Sequence, residues 1–235
     1  MTGWEALCEA TWPPLATRRL GPWRLRDGAG GGKRVSAATA EADWTPADIA
    51  PAAQAMREMG QAPLFMVRAG EDALDAALDA KGLRIVDPVV AMSAPVADLA
   101  AERPPRMSGF AVWPPLAVQC DIWAEGGIGP SRLAVMARVQ GPKIALFGRA
   151  DDRPAATAFV ACHGDSAMLH ALETRAALRR HGAGRHLMRH AALWAGAQGA
   201  ATLWILVTRA NAAARGLYAS LGMAESGSYH YRIED

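Results

Sequence analysis

The chain has 235 residues, enough for one large domain or two small ones, each with a buried core. Hydrophobic residues make up 51% and charged residues 20%, and the net charge of +2 is too small for a nucleic-acid or membrane-surface binder, so any basic patch is local. The three cysteines (Cys8, Cys120, Cys162) are odd in number and far apart, and no apolar run approaches the roughly 18 residues of a membrane span, so reduced thiols in a soluble, cytoplasmic protein are expected.

In chain order, the opening MTGWEALCEATW lacks the basic stretch and apolar run of a secretory leader. Trp23–Asp27 and Arg34–Ala40 read as two short strands around the turn GAGGG. Pro46–Met59 has helical spacing, with Thr45 as its candidate N-cap. Leu64–Arg68 is a short apolar strand, Glu71–Lys81 a helix stopped by Gly82, and Leu83–Met92 a further strand. The stretch Ala97–Gly109 breaks this pattern, because Pro104 and Pro105 interrupt any helix and the charge density rises. A boundary is placed there, dividing the chain into domains 1–105 and 106–235.

Beyond it, Pro114–Ala124 and Ser131–Val139 read as helices. Lys143–Arg149, Ala155–His163 and Ser166–Thr174 follow as three strands separated by DDRP and HGD turns. A long helix runs from about Gly182 to Ala197, with Leu187, Ala191 and Trp194 on one face and Arg185 and Arg189 on another. Thr202–Thr208 is a continuous apolar run, the pattern of a strand buried on both faces. The helix Ala212–Leu221 ends at Gly222, and Ala224–Ile233 returns as strand. The order is a β meander followed by β-α-β-α-β, which predicts an α/β fold with a mixed sheet covered by helices. Within it, Phe65–Leu83 lies over Ile205–Met223 without a gap, bringing Val67 onto Val207 and Gly82 onto Gly222. A tandem arrangement is therefore expected, although a strand-helix-Gly match comes easily in an alanine-rich chain.

The chemistry concentrates in Arg179-Arg180-His181-Gly182-Ala183-Gly184, between a strand and the long helix. Glycines let backbone N–H groups approach a ligand, and a helix start carries partial positive charge. Arg179, Arg180 and Arg185 add full positive charges, although cations at a helix start cost about 0.3–1 kcal/mol against the dipole. An anion such as a pyrophosphate would resolve that conflict. Taken alone, R-x-x-G-x-G is more often a turn beside a solvated basic patch.

It does not stand alone. Arg179, Gly182 and Gly184 are followed by a helix, a buried strand, Asn211, an alanine-rich helix and Leu217-Tyr218-Ala219-Ser220-Leu221-Gly222-Met223. In that order and spacing the region resembles the GNAT superfamily of acetyl-CoA-dependent N-acetyltransferases. The resemblance covers residues 107–235 and implies a GNAT-type fold, tandem with a degenerate N-terminal half.

It also implies roles. The backbone of Leu172, Glu173 and Thr174 should pair with the pantetheine arm of acetyl-CoA, and the amides of Arg179, Arg180, His181, Gly182, Ala183 and Gly184, with Arg185, should hold the pyrophosphate. Asn211 should bond the cofactor arm, although a helix N-cap explains it equally well. Tyr218, two turns further on, should protonate the departing thiolate, where the plainer reading is an amphipathic core tyrosine. The implied reaction is direct attack by a primary amine in a ternary complex. Such an amine is well under about 1% neutral at pH 7, so a base helps. Glu173 is the first candidate, with the caution that Glu173 and Thr174 face opposite ways on a strand. His170, Tyr229, His230 and Tyr231 are reserves.

Other patterns carry less. GAGGGKR is one residue short of G-x-x-x-x-G-K and has Arg34 where Ser or Thr is required, so a hairpin tip is expected. His186 and His190 share a helix face but lack the H-E-x-x-H glutamate and a third ligand, so no metal is expected. Trp194 and Trp204 read as core, while Trp113 and Trp123 are open between core and cleft. At the positions matching Asn211 and Tyr218 the first half has Glu71 and Leu78, with no R-x-x-G-x-G loop, so its expected role is support and one wall of the acceptor site. The expected partners are acetyl-CoA, an amine acceptor and, as an open option, a second copy of the chain, with no nucleic acid and no membrane. A non-catalytic acyl-CoA-binding module is the alternative, and Tyr218 argues against it because binding alone needs no proton donor.

Overall fold

The computed structural model describes residues 3–234. In chain order its elements are α1 (Gly3–Thr11), β1 (Ala16–Leu20), β2 (Trp23–Asp27), β3 (Thr39–Ala40), α2 (Ile49–Glu58), β4 (Leu64–Arg68), α3 (Asp72–Asp79), β5 (Arg84–Pro95) and α4 (Val96–Ala100). Then come β6 (Gly109–Val112), α5 (Ala117–Glu125), α6 (Pro130–Arg138), β7 (Lys143–Ala150), β8 (Arg153–His163), β9 (Ser166–Thr174), α7 (Ala183–Ala197), β10 (Thr202–Thr208), α8 (Ala212–Ser220) and β11 (Ala224–Ile233). The chain forms two compact units, one of residues 3–13, 91–207 and 211–226, the other of residues 14–90, 208–210 and 227–234. Strands β5 and β11 each pass from one unit to the other.

The larger unit is built on a mixed sheet. Strands β6, β7, β8 and β9 are antiparallel neighbours, and β10 pairs parallel with β9 across the α7 crossover. Asp151 and Asp152, at φ 48° and 56°, make the two-residue turn between β7 and β8, a conformation that Asp tolerates better than most residues and that suits the twist of paired strands. Ala155–Cys162 of β8 is buried without a break, which requires cover on both faces of the sheet. Helix α7 packs on β6–β9, while α1 and α5 pack against β8 and β9. Thr11 and Trp12 close the α1 side: the Thr11 hydroxyl lies 2.9 Å from His170 Nε2, and the Trp12 ring stacks on His170 at 4.9 Å.

The smaller unit has a three-stranded antiparallel sheet, β1-β2-β3, and the antiparallel pair β4–β11. Its core sets Trp23 edge-on against Phe65, with Leu25, Ile49 and Met56 sealed from solvent. Asp75 of α3 accepts from Arg232 Nε at 2.7 Å and lies 2.6 Å from His230 Nε2, tying the helix to β11.

The repeated segments align closely. Strands β4 and β10 end at Arg68 and Thr208, α3 and α8 start at Asp72 and Ala212, and β5 and β11 start at Arg84 and Ala224. After each helix a glycine turns the chain in the left-handed region, Gly82 at φ 81° and Gly222 at φ 83°.

Several expectations are corrected. The strand expected over Arg34–Ala40 shrinks to Thr39–Ala40, because Lys33–Val35 forms a 3₁₀ turn. Thr45 caps a 3₁₀ turn over Pro46–Asp48, its backbone N–H donating to Asp48 Oδ2 at 2.8 Å, before α2 begins. Strand β10 is not buried on both faces: Leu203, Ile205 and Val207 are buried, and the residues alternating with them, Trp204 included, are half-buried. Trp194 is also half-buried. Arg189, on the other face of that helix, is buried and ion-paired with Glu102. Helices α1 and α4 and strands β1 and β6 were not anticipated.

Candidate functional site

In the larger unit β9 and β10 stay in register only from Ser166↔Thr202 to Leu169↔Ile205, yet β9 continues to Thr174 and β10 to Thr208. The far ends of the two strands part after Leu169. On its other edge β9 remains paired, Glu173 with Thr157 and Thr174 with Ala156. Leu172–Thr174 therefore offers one backbone edge inside the mixed sheet that β10 leaves open.

A bulge produces this divergence. Between the pairs Phe159↔His170 and Thr157↔Glu173, Ala158 faces two residues, Ala171 and Leu172. Ala171 adopts φ 51°, a costly conformation for a residue with a Cβ. Its carbonyl accepts from Trp123 Nε1 at 2.8 Å, so the fully buried indole of α5 holds the bulge. The sequence left Trp123 open between core and cleft; it belongs to the core, and its N–H is the useful part. Trp113 is half-buried against Phe159 at 5.6 Å, with Lys143 over its ring at 5.0 Å.

Beyond β9 the chain makes a 3₁₀ turn over Ala176–Leu178 and reaches Arg180 at φ 70° and Gly182 at φ 84°, both left-handed. Gly182 is the N-cap of α7 and has no side chain to cap it. The first helical bond runs from His186 N to Gly182 O at 3.0 Å, and among the described residues no side chain caps the N–H groups of Ala183, Gly184 and Arg185. Three orphan donors and the positive end of a 15-residue helix thus point out of one turn. A Cβ on Gly184 would stand 3.2 Å from Leu217 and 4.0 Å from Leu172, so this glycine lets β9, the first turn of α7 and α8 converge. Arg179 is 62% exposed, with Glu173 Oε1 3.5 Å away, and Arg185 donates to Ser220 Oγ at 2.8 Å. His181 Nδ1 lies 2.8 Å from Asp151 Oδ2, a contact that nothing in the sequence signalled.

Asn211 is the N-cap of α8, its Oδ1 accepting from Ala214 N at 3.1 Å. Tyr218 is 4% exposed, and among the described residues no group hydrogen-bonds its hydroxyl. Burial pushes its phenol well above the usual tyrosine value, so it is protonated at neutral pH.

The reserve bases are engaged elsewhere. His170 is buried between Thr11 and Trp12. His230 is bonded to Asp75, and Tyr229 and Tyr231 pack edge to face in the smaller unit. Glu173 is half-buried, with Oε1 accepting from Thr174 N at 3.1 Å. His186 and His190 are held below the usual histidine range, chiefly by burial, with Arg189 and Arg185 adding to the effect on His186 and His186 to that on His190. His190 Nε2 lies 3.2 Å from Ser108 Oγ, and among the described residues no group of three or more His, Cys, Asp or Glu could hold a metal. No described helix is long and apolar enough to cross a membrane. The cysteines are free thiols, with Cys162 pushed up to about 11 by burial.

Comparison with known proteins places this arrangement. Residues 110–223 match the acetyltransferase (GNAT) family. Across 98% of its length the chain is 26% identical to the uncharacterized N-acetyltransferase YobR of Bacillus subtilis (strain 168), covering 97% of that protein. It shares its fold with a GCN5-related N-acetyltransferase from Kribbella flavida, at a TM-score of 0.72 and 18% identity over 98% of this chain and 93% of that one. A tandem GNAT protein from the clavulanic acid biosynthesis pathway also shares the fold, with a TM-score of 0.63 and 14% identity over 98% of this chain and 86% of that one. The matched segment, residues 110–223, carries the parted strands and the uncapped turn of α7, and it is there that the chain holds a domain of the acetyltransferase (GNAT) family.

Proposed function

We propose that this acyltransferase moves an acetyl group from acetyl-CoA to a primary amine of a small molecule, an amino acid or a peptide, by direct attack of the amine within a ternary complex. The observation that carries the reading is the parting of β9 and β10 beside the uncapped first turn of α7: an open backbone edge for an amide-bearing arm lies next to donors for a pyrophosphate. In this reading Leu172–Thr174 pairs with the arm. The amides of residues 179–184, with Arg185, hold the phosphates, and Asn211 bonds the arm while it caps α8.

Glu173 receives the proton that the attacking amine must lose. Tyr218 serves the departing sulfur. An ordinary phenol lies above an ordinary thiol in pKa, so the chief contribution of Tyr218 is a hydrogen bond to developing thiolate charge in a dry site, with proton transfer as that charge accumulates. A group that only held the cofactor would not need a buried, protonated phenol.

Residues 106–235 carry this chemistry, and residues 1–105 act as a degenerate GNAT-like partner. The coincident boundaries of β4-α3-β5 and β10-α8-β11 support that division, as does the shared fold of a tandem GNAT protein. The three free thiols suit a cytoplasmic setting.

The test is to incubate the protein with acetyl-CoA and lysine, spermidine, tyramine or an alanyl tripeptide, following thiol release and acetylated product by mass. Amine-dependent release with matching product is expected. Tight acetyl-CoA binding without turnover on any amine would replace the enzyme with a binding module.

A further inference from the structure

Gly126 and Gly127 follow α5 directly, and the backbone treats them differently. Gly127 adopts φ 76°, the left-handed region that favours glycine. Gly126 adopts φ −86° and ψ 8°, a conformation open to other residues. Its N–H is engaged by Ile122 O and Trp123 O in the last turn of the helix. Backbone geometry therefore does not account for the missing side chain at Gly126.

Its neighbour does. A Cβ built on Gly126 would stand 2.5 Å from Glu173 Cγ, 2.6 Å from Cδ and 2.6 Å from Oε2. The Glu173 side chain fills the volume that any larger residue at 126 would claim, and all three of those atoms belong to its terminal half. The other face of the carboxylate is also held, since Oε1 accepts from Thr174 N at 3.1 Å and lies 3.5 Å from Arg179. Trp123, three residues earlier in the last turn of α5, donates to Ala171 O. The end of α5 thus holds the bulge through Trp123 and leaves room through Gly126 for the carboxylate two residues beyond it.

We infer that Gly126 is a positioning residue for the reaction: its lack of a side chain seats the Glu173 carboxylate where it meets the acceptor amine. This rests on the role given to Glu173 above. The consequence is steric and has a definite remedy. Gly126→Ala displaces the carboxylate, and shortening Glu173 by one methylene makes room again. Misplacing a reacting group by about 1 Å costs on the order of a hundredfold in rate.

The experiment compares wild type, Gly126→Ala, Glu173→Asp, the double variant Gly126→Ala/Glu173→Asp and Glu173→Gln. Folding is checked by melting temperature. The rate readout is kcat, and KM for acetyl-CoA, on the best amine of the panel above across pH. A second readout needs no acceptor: the ¹³Cδ resonance of Glu173, identified by its loss in Glu173→Gln, is titrated in a sample labelled at its glutamates.

Gly126→Ala is expected to lower kcat by about 10- to 100-fold with KM for acetyl-CoA within about twofold, to move the acidic limb of the pH profile and to shift the Glu173 resonance. The double variant is expected to exceed Gly126→Ala in kcat, a rescue that a merely structural glycine would not give. An unshifted Glu173 resonance in Gly126→Ala, or losses that multiply in the double variant, would overturn the positioning role. Wild-type kcat and pH profile in Glu173→Gln would instead remove Glu173 as the base, and that outcome is legible independently of the Gly126 variants.

Discussion

Two segments of this chain share a strand-helix-strand order with matching helix starts and glycine turns, and present different chemistry. In β4-α3-β5 the residue before the helix is Glu71, which turns back to accept from Arg68 N at 2.7 Å and Arg68 Nε at 2.9 Å, and the inward residue of the helix is Leu78, sealed from solvent. In β10-α8-β11 the same places hold Asn211, which caps the helix, and Tyr218, a buried phenol with no partner among the described residues. The first segment spends its polar and apolar groups on its own packing. In the proposed reading the second turns these groups to a ligand, beside the parted strands and the α7 turn for which the first has no sequence counterpart. In that reading the difference between scaffold and site comes down to a few side chains and one preceding loop.

This contrast can be broken at several points. The largest effect belongs to Tyr218→Phe, which should lower kcat by at least about a hundredfold and leave acetyl-CoA affinity within a factor of about three. Equal kcat in steady-state assays would remove Tyr218 from the chemistry. Leu78→Ala, its counterpart, should cost about 2–5 kcal/mol of stability in denaturant melts and leave acetyl-CoA affinity of the folded protein unchanged. An affinity loss there would mean that the first segment also holds the cofactor.

Gly182→Val puts a β-branched side chain at φ 84°, within 3.1 Å of His186, and should weaken acetyl-CoA binding by about tenfold or more in calorimetry. Asn211→Ala should cost about 1 kcal/mol through the lost cap, and a further loss of acetyl-CoA affinity would support its second role.

The smallest effect is a pH dependence in the smaller unit. Asp75 is held below the usual carboxylate range, first by its hydrogen bond from Arg232 and then by His230, against partial burial. A depressed folded-state pKa contributes stability above the ordinary carboxyl range and loses it as pH falls through the folded value. Asp75→Asn should therefore melt lower at pH 7 and lose less than wild type on acidification below about pH 4. Parallel acid profiles would contradict this account of Asp75.

Much of the scaffold was legible because local patterns decide it. Leu64–Arg68, Ser166–Thr174, Thr202–Thr208 and Ala224–Ile233 are apolar or alternating runs bounded by glycine or polar turns, and they form the strands expected of them. The glycines of the α7 turn and the cap at Asn211 were readable because φ and capping are properties of single residues. What eluded the sequence is long-range. The bulge at Ala171 depends on register against β8 and on the Trp123 indole, and alanine carries no sign of a left-handed conformation. Gly126 looks like half of a Gly-Gly turn until Glu173 is seen in its place. Nothing in the sequence pairs Arg189 with Glu102, and His170 reads as a candidate base until Thr11 and Trp12 enclose it.

The comparison itself is tested most directly by the stoichiometry of acetyl-CoA binding, measured by calorimetric titration of the whole chain. One equivalent per chain, weakened in Gly182→Val, is the predicted result. Two equivalents, or a single one untouched by Gly182→Val, would contradict the claim that only the C-terminal segment holds the cofactor.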